Sequence, residues 1–551
     1  MLSTFHKIFD ALTSAERGAF KWAAGLFCVS LVLTGTNAFY RSTRLAPAAG
    51  GSFTEGVVGQ PIAVNPLIGA ESEADRDLLE VSFADLTELM ESHQVSDDGK
   101  TWTVKLKLGL RWSDGQPLVS DDVVFTITTI QNPDARSPLL TGWQGVTVDR
   151  VSEGEVRFSL KAPYAFFLDN LRTLKVAPQH IFGTIPAANV RLSAYNLEPV
   201  GSGPYAFAGL EKRRDGFITS YRLRANPYYA GDRALIQQFE FRFFERVGDA
   251  VAAFNRREIN GLGGIGTAEV DALTISHQLH QLGIPRYYAV FFNLAINPAL
   301  KEPKVRAALN LVTDREHLVE GALGGYGKTI AGPLYPGLEG YDPTFDQATS
   351  SVEGAEALLD AAGWKPGEGG IREKSIGKET ARLSFELIVP DIDFLVRTAD
   401  LLAQNWRRIG VEIKPVVMGT AEIASDVIRT RNYHLILFGN ILRASPDIFS
   451  FWHSSERFRP GLNLSLYENK TIDTLLETVR TDFGPASRER NLKRIQTIIG
   501  DEHPAVFLFS PDYLYASPKN LGGFEDTVVA SAANRFDHVN RWYLKTARVF
   551  R

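Results

Sequence analysis

From Trp22 to Phe39 the chain runs for eighteen positions without a charged side chain. As a helix rising about 1.5 Å per residue, such a run is about 27 Å long, close to a bilayer's hydrocarbon thickness of about 30 Å. Nothing in residues 1–45 offers an amphipathic face, so a buried soluble helix is a poor description. Two readings remain. A secretory signal has a shorter apolar stretch, about 7–15 residues, before a small-x-small cleavage site. The candidates here are Thr36-Asn37-Ala38, with Thr where Ala is preferred, and Ala46-Pro47-Ala48, far from the apolar block. Phe27 before Cys28 does not suit a lipid-attachment site. The other reading, which we favour, is an uncleaved anchor with residues 1–21 in the cytoplasm and Arg41 and Arg44 on the outer side. The charge bias across the two flanks is weak. Residues 40–52 are small, polar and bear Pro and Gly, which predicts a linker.

The body that follows has ordinary globular composition: 44% hydrophobic and 22% charged over the 551-residue chain. Disorder, collagen and coiled coil are excluded. Length predicts three or four units at about 150 residues each. Lys and Arg number 59 against 64 Asp and Glu, so no basic excess points to a nucleic-acid partner. Cys28, inside the apolar run, is the single cysteine. Disulfides, zinc ribbons and thiol nucleophiles are therefore excluded from the body, and a large thiol-free domain fits an extracytoplasmic bacterial setting.

Along the body, residues 101–107 alternate strictly, with Trp102, Val104 and Leu106 on one face, predicting a half-buried strand. Ser113-Asp114-Gly115 predicts a turn, and Ser120 a helix cap followed by Asp121 and Asp122 at the positive end of the helix dipole. Val156, Phe158 and Leu160 alternate again, as do Phe239, Phe241 and Phe243. Near residue 290 the rhythm changes. Pro303 suits a first helical position, and Thr313 with Glu316 has the spacing of a capping box. Gly324-Gly325 predicts the end of that second helix. Leu383, Phe385, Leu387 and Val389 predict a strand, and Leu395, Ala399, Leu402, Trp406 and Ile409 one face of a helix stopped by Gly410. Val411–Val416, a helix over about 421–430, and a strand over 435–438 follow. This alternation predicts a mainly parallel α/β lobe with right-handed crossovers.

No catalytic constellation stands. Gly261, Gly263 and Gly266 match G-x-G-x-x-G, but they follow a helical stretch over 250–257 and lack a later acid for a ribose, so a flexible loop is expected instead. Gly201-Ser202-Gly203 lacks nucleophile-elbow spacing. No H-E-x-x-H is present, and Arg315-Glu316-His317 reads as helix surface. His453, near Trp452 and Glu456, is a lone candidate base or ligand. Asp97-Asp98 before Gly99 reads as a solvated turn rather than a calcium loop. The chain is expected to bind rather than to catalyse, with no cofactor and no metal.

Several segments resemble one family. Residues 98–126, DGKTWTVKLKLGLRWSDGQPLVSDDVVFT, are similar almost residue for residue to the identifying block of the solute-binding proteins of peptide-type ABC importers, the family 5 oligopeptide- and dipeptide-binding class. Val200-Gly201-Ser202-Gly203-Pro204-Tyr205 resembles its V-G-T-G-P-Y turn, and Asn226-Pro227-Tyr228-Tyr229 its N-P-x-Y. Phe291–Leu294, Val305–Leu309, Asp314-Arg315, Ala355–Trp364 and residues 383–417 resemble further family segments, so the likeness spans roughly 55 to 520.

The resemblance implies an α/β fold of two lobes around a cleft, with an extra domain inserted in the first lobe. By that pattern the first lobe comprises 53–70, 195–287 and 505–551, the inserted domain 71–194 and the second lobe 288–504. Trp112, Asp121 and Tyr205 would hold the scaffold. The expected role is that of a monomeric extracytoplasmic component that captures a small solute, a peptide above all, and hands it to ABC permease subunits. A non-peptide solute such as an oligosaccharide, a metal chelate or an anionic small molecule is the alternative. Family likeness turns three stretches towards the cleft, carrying Asn65, Asn293, and Asn440 with Leu442 and Arg443. Peptide-binding members carry an aspartate in the third loop that pairs with the peptide's α-ammonium. The matching place here holds Leu442 or Arg443, and Asp447 reads as a helix cap. A guanidinium there suits a carboxylate rather than an ammonium.

Overall fold

The computed structural model describes residues 11–347, 349–377 and 379–551. The first ten positions of the expected cytoplasmic segment lie outside the described residues.

Two large sheets organise the body. One has seven strands, in the order Gln278–Leu282, Tyr513–Ser517, Gly261–Gly263, Ser52–Val58, Gln238–Phe244, Ile218–Ala225, Tyr205–Lys212. The other has six: Gly327–Thr329, Ala505–Pro511, Arg286–Phe292, Leu435–Ile441, Ser384–Pro390, Glu412–Met418. A four-stranded antiparallel sheet formed by Met90–Val95, Thr101–Leu106, Glu155–Ser159 and Thr147–Ser152 marks the inserted region. Its side chains Trp102, Val104, Val156 and Phe158 share one continuous core with Phe53, Tyr205 and Phe239 of the seven-stranded sheet and with Trp542 near the end of the chain.

The six-stranded sheet is buried on both faces. In Arg286–Phe292, Val290 and Phe292 enter one core, while Tyr287, Ala289 and Phe291 enter the other. Successive side chains of a strand point to opposite faces, so two-sided burial demands an unbroken apolar run, as residues 505–509 also provide. The expectation of a mainly parallel sheet is corrected to a mixed one. Ser384–Pro390 pairs in parallel with both Glu412–Met418 and Leu435–Ile441, but the pairings of Arg286–Phe292 and Gly327–Thr329 are antiparallel.

The chain passes between the two large sheets at 283–285 and again at Asp512. Ala505–Pro511 pairs with Arg286–Phe292, whereas Tyr513–Ser517 pairs with Gln278–Leu282. The return to the first lobe thus lies at Asp512, later than the expected 505.

Three local expectations also change. Ser120 is the first helical residue, and its hydroxyl donates to the Ser152 carbonyl. The end is closed by Asp122, whose carboxylate accepts from the backbone N–H of Val119 at 2.9 Å and of Gln179 at 2.8 Å. The helix Arg315–Leu323 is capped by Asp314, which accepts from His317 N–H at 3.0 Å. Thr313 is buried, donating to the Leu309 carbonyl and accepting from Trp406 Nε1 at 2.9 Å. Gly261–Gly263 is a strand inside the seven-stranded sheet, not a flexible loop. A Cβ at Gly261 would lie 1.9 Å from Glu55 Oε2, and one at Gly263 would lie 2.2 Å from Tyr513 Oη, so glycine is required for close packing.

The apolar run is part of a single helix, Ser14–Ser42, long and apolar enough to cross a membrane and with none of its residues buried in the protein. Thr13 and Glu16 cap its start reciprocally. The expected linker is partly regular: Thr43–Ala48 forms an antiparallel ribbon with Lys545–Phe550 at the far end of the chain.

Candidate functional site

A cavity of about 660 Å³ opens between the lobes. Pro66, Gly69 and Ala70 line it from the first lobe, Tyr164, Asp169 and Lys175 from the inserted region, and residues 442–445 with Asp447 from the second lobe. The last of these follow the strand Leu435–Ile441, whose carboxyl end delivers them beside the first crossing. There the N–H groups of Leu442 and Arg443 both donate to the Pro285 carbonyl, at 2.9 and 3.1 Å. Arg443 adopts a left-handed backbone (φ 56°), which turns the chain away from the strand. Leu442 is consequently buried in a second-lobe core, while Arg443 is exposed and lines the cavity.

The remaining expected residues separate. Asn65 is fully buried. Its Nδ2 donates to Asn196 Oδ1 at 2.8 Å and its Oδ1 accepts from Leu67 N–H at 2.9 Å, so its amide holds the loop together. Asn293 is likewise buried, donating to the Arg431 carbonyl at 2.8 Å and accepting from Ala295 N–H at 3.1 Å. Neither lines the cavity. Asn440 borders a smaller recess of about 200 Å³ formed with Tyr287, Tyr288, Pro390 and Phe438, and its amide donates to Tyr287 Oη at 2.8 Å. That recess is walled mainly by aromatic and aliphatic groups, which suits an apolar moiety. His453 is buried, stacked on Phe449 at 4.1 Å with Nδ1 2.8 Å from Ser455 Oγ, and serves the second-lobe scaffold.

Sequence reasoning missed the bridge across the cleft. Asp447 is not the helix cap, a position taken by Ile448, but stands one residue before it, with Oδ1 accepting from Phe449 N–H at 3.2 Å. Its other oxygen accepts from Tyr164 Oη at 2.8 Å and from Arg480 Nε at 3.0 Å. Tyr164 belongs to the inserted region, so this carboxylate joins the lobes. Beside it the Ala165 N–H donates to the Arg480 carbonyl at 2.7 Å, and Arg480 lies 4.1 Å from the Phe449 ring centre. Burial first, and the Asp447 charge second, hold the Tyr164 phenol far above its ordinary pKa, so it stays a donor. No local signal reveals this pairing, because its partners are nearly 300 positions apart.

The charges of the cavity are mostly spoken for. Lys175 pairs with Glu80 at 2.9 Å and Arg172 with Asp169 at 3.0 Å. Asp537 accepts from Asn534 Nδ2 at 2.9 Å. The crowding of protein around Asp537, and then the neighbouring Glu80 carboxylate, raise its pKa well above the usual range. Arg443 and Arg76, on opposite walls, have no bonded partner for their guanidinium groups among the described residues. Two guanidiniums are thus free to meet an anion, within a lining that also carries Glu80, Asp85, Asp169, Asp447 and Asp537 and has no net positive excess. Among the described residues no group of three or more His, Cys, Asp or Glu is placed to hold a metal.

Comparison with known proteins accords with this architecture. The oligopeptide-binding protein AppA of Bacillus subtilis is 25% identical over 513 residues, 89% of this chain and 92% of AppA. Its structure in complex with a nonapeptide superposes with a TM-score of 0.68, covering 91% of this chain and 100% of that one. The ABC transporter substrate-binding protein CtaP of Listeria monocytogenes gives a TM-score of 0.75 at 25% identity, covering 90% and 99%. Residues 87–458 match the bacterial extracellular solute-binding proteins, family 5. With that match spanning most of the body, and two mixed-sheet lobes enclosing a cleft bridged by Asp447, the chain belongs to the bacterial extracellular solute-binding proteins of family 5.

Proposed function

We propose that this protein captures a peptide or a similarly sized solute between its lobes by an anionic group set against Arg443, with Arg76 facing it, and delivers that solute to ABC permease subunits. The observation that carries the reading is the exposed Arg443 guanidinium, without a bonded partner among the described residues, in the loop where peptide binders of this family place an acid. Arginine presents a rigid fork of donors that matches a carboxylate with two parallel bonds. The relatives' peptide ligands support a peptide, whose α-carboxylate supplies the anion. Native mass spectrometry of the purified protein tests this: the co-purifying solute should carry a carboxylate or another anion. A solute with an ammonium and no anionic group would refute it.

The raised pKa of Asp537 gives the site a pH dependence. While Asp537 holds a proton, it does not offset the two guanidiniums. As the pH rises into the alkaline range it ionises, adds negative charge to the cleft, and should weaken an anionic ligand. Calorimetry across that range should show affinity falling with pH, and Asp537→Asn should flatten the profile.

The protein acts, on this reading, as a monomer held at the outer face of the membrane by an uncleaved Ser14–Ser42 helix. Cleavage near Ala49 would cut Thr43–Ala48 out of its ribbon, which favours retention. N-terminal sequencing of the exported protein should find a start upstream of Trp22; a start near Phe39 or Ala49 would contradict it.

A further inference from the structure

The ribbon that follows the apolar helix is built in a way the binding function does not explain. Thr43 pairs with Phe550 and, in unbroken register, Ala48 with Lys545. The Arg551 N–H extends the ladder by donating to the Ser42 carbonyl at 2.9 Å. Arg548 lies 4.0 Å from the Tyr40 ring centre and donates to Thr43 Oγ1 at 3.2 Å. Phe550 meets Phe39 edge to face at 6.2 Å. The last strand is thus fastened to the exit of the helix.

Yet among the described residues little covers it beyond Thr43, which is buried at the helix exit. Every residue of Lys545–Phe550 is exposed, Phe550 by 75%, and across the ladder Leu45 is exposed by 61%. A lone two-stranded ribbon is marginal in water, because it has no third layer on which to bury a face. Its composition is also one-sided. Residues 40–51 and 545–551 contain Arg41, Arg44, Lys545, Arg548 and Arg551 and no acidic side chain. Aromatic rings and arginines together, at the point where an apolar helix ends, are the chemistry of the bilayer's headgroup layer: rings favour that zone, and cations are drawn to anionic lipid.

We propose that the ribbon of Thr43–Ala48 and Lys545–Phe550 is a collar that docks on anionic phospholipid headgroups, giving the body a second membrane contact and a fixed orientation in place of a swinging linker. The proposal rests on the anchor reading above. The occupant is the bilayer because the ribbon is continuous with the helix that would span it, and because its uncompensated charge is complementary to anionic lipid.

Hydrogen–deuterium exchange on the full chain in lipid nanodiscs tests it. Backbone amides of 543–551 should exchange about tenfold more slowly in phosphatidylcholine mixed with phosphatidylglycerol than in phosphatidylcholine alone, since basic clusters at a membrane respond steeply to surface charge. Amides of Tyr205–Lys212, in the body, should not differ. The variant Arg44→Glu/Arg551→Glu should lose the difference; neither side chain has a bonded partner among the described residues, and intact protection in phosphatidylcholine would show that the ribbon still forms. Equal exchange in both lipids, or a slowing that persists in the variant, would overturn the collar. An N-terminus near Phe39 on the exported protein would overturn the anchor instead, while the exchange experiment still decides the collar.

Discussion

Arg535→Met is expected to cost about 3–5 kcal/mol of stability, the usual scale for stripping one partner from a buried ionic network. Arg535 is 2% exposed and holds two carboxylates. It donates to Asp77 at 2.9 and 2.6 Å and to Glu55 at 3.0 Å, while Tyr515 Oη donates to the other Glu55 oxygen at 2.8 Å. One cation faces two acids, so the cluster already carries an excess of negative charge. Burial accordingly lifts the Glu55 pKa to about 7 in spite of Arg535. The folded state then binds this proton more tightly than the unfolded chain. Glu55 therefore lowers stability progressively as the pH rises from the ordinary glutamate range to about 7, and by a constant amount above it. Without Arg535 that penalty grows, because both acids lose their counter-charge. Urea unfolding followed by tryptophan fluorescence should show the variant's loss to be larger in alkaline than in acidic buffer. Adding Glu55→Gln should recover part of it. A loss below about 1 kcal/mol at either pH would contradict the role given to this cluster.

The second large effect is expected at the bridge. Asp447 reaches Tyr164 only when the lobes are together, so this one bond favours the closed state alone, whereas its bonds to Arg480 and Phe449 lie within the second lobe and persist on opening. Removing a charged hydrogen-bonding group of this kind costs about 1.5–3 kcal/mol, roughly a 10- to 100-fold change in the closed-to-open ratio. Asp447→Ala should therefore enlarge the radius of gyration of the unliganded protein in solution scattering and weaken ligand binding by about that factor. Tyr164→Phe, which deletes one hydroxyl and leaves the Asp447–Arg480 pair, should do the same to a smaller degree. Unchanged scattering and affinity in both variants would show that closure does not depend on this contact.

The elements that were legible in the sequence are those whose pattern is local. The alternation of Trp102, Val104 and Leu106 and the helical spacing from Leu395 to Trp406 appear as read, while Ile409 packs from the turn that ends at Gly410. What escaped depends on distant partners. The direction of Arg286–Phe292 in its sheet is set by neighbours at 435–441 and 505–511. The need for glycine at 261 comes from Glu55 and Tyr515, and the ordering of 43–48 from the other end of the chain. Thr313 and Asp314 are both competent caps; burial of Thr313 beneath Trp406 decides between them. The same division holds in the cleft. Arg443 could be singled out from its loop, because an acid is missing there. Arg76, Asp537 and the Tyr164–Asp447 bridge come together only through the fold. Asn65 and Asn293 sit in the expected loops, but their amides are used to brace those loops.

Recognition of an anionic group through Arg443 can be read by calorimetry of a free peptide and its N-acetylated form on the wild type and on Arg443→Ala. Loss of a charge-assisted pair of about 1.5–3 kcal/mol predicts roughly 10- to 100-fold weaker binding of both ligands to the variant, with N-acetylation itself tolerated by the wild type. Tight binding that requires a free amine and is unchanged in Arg443→Ala would remove Arg443 from the site and contradict the claim.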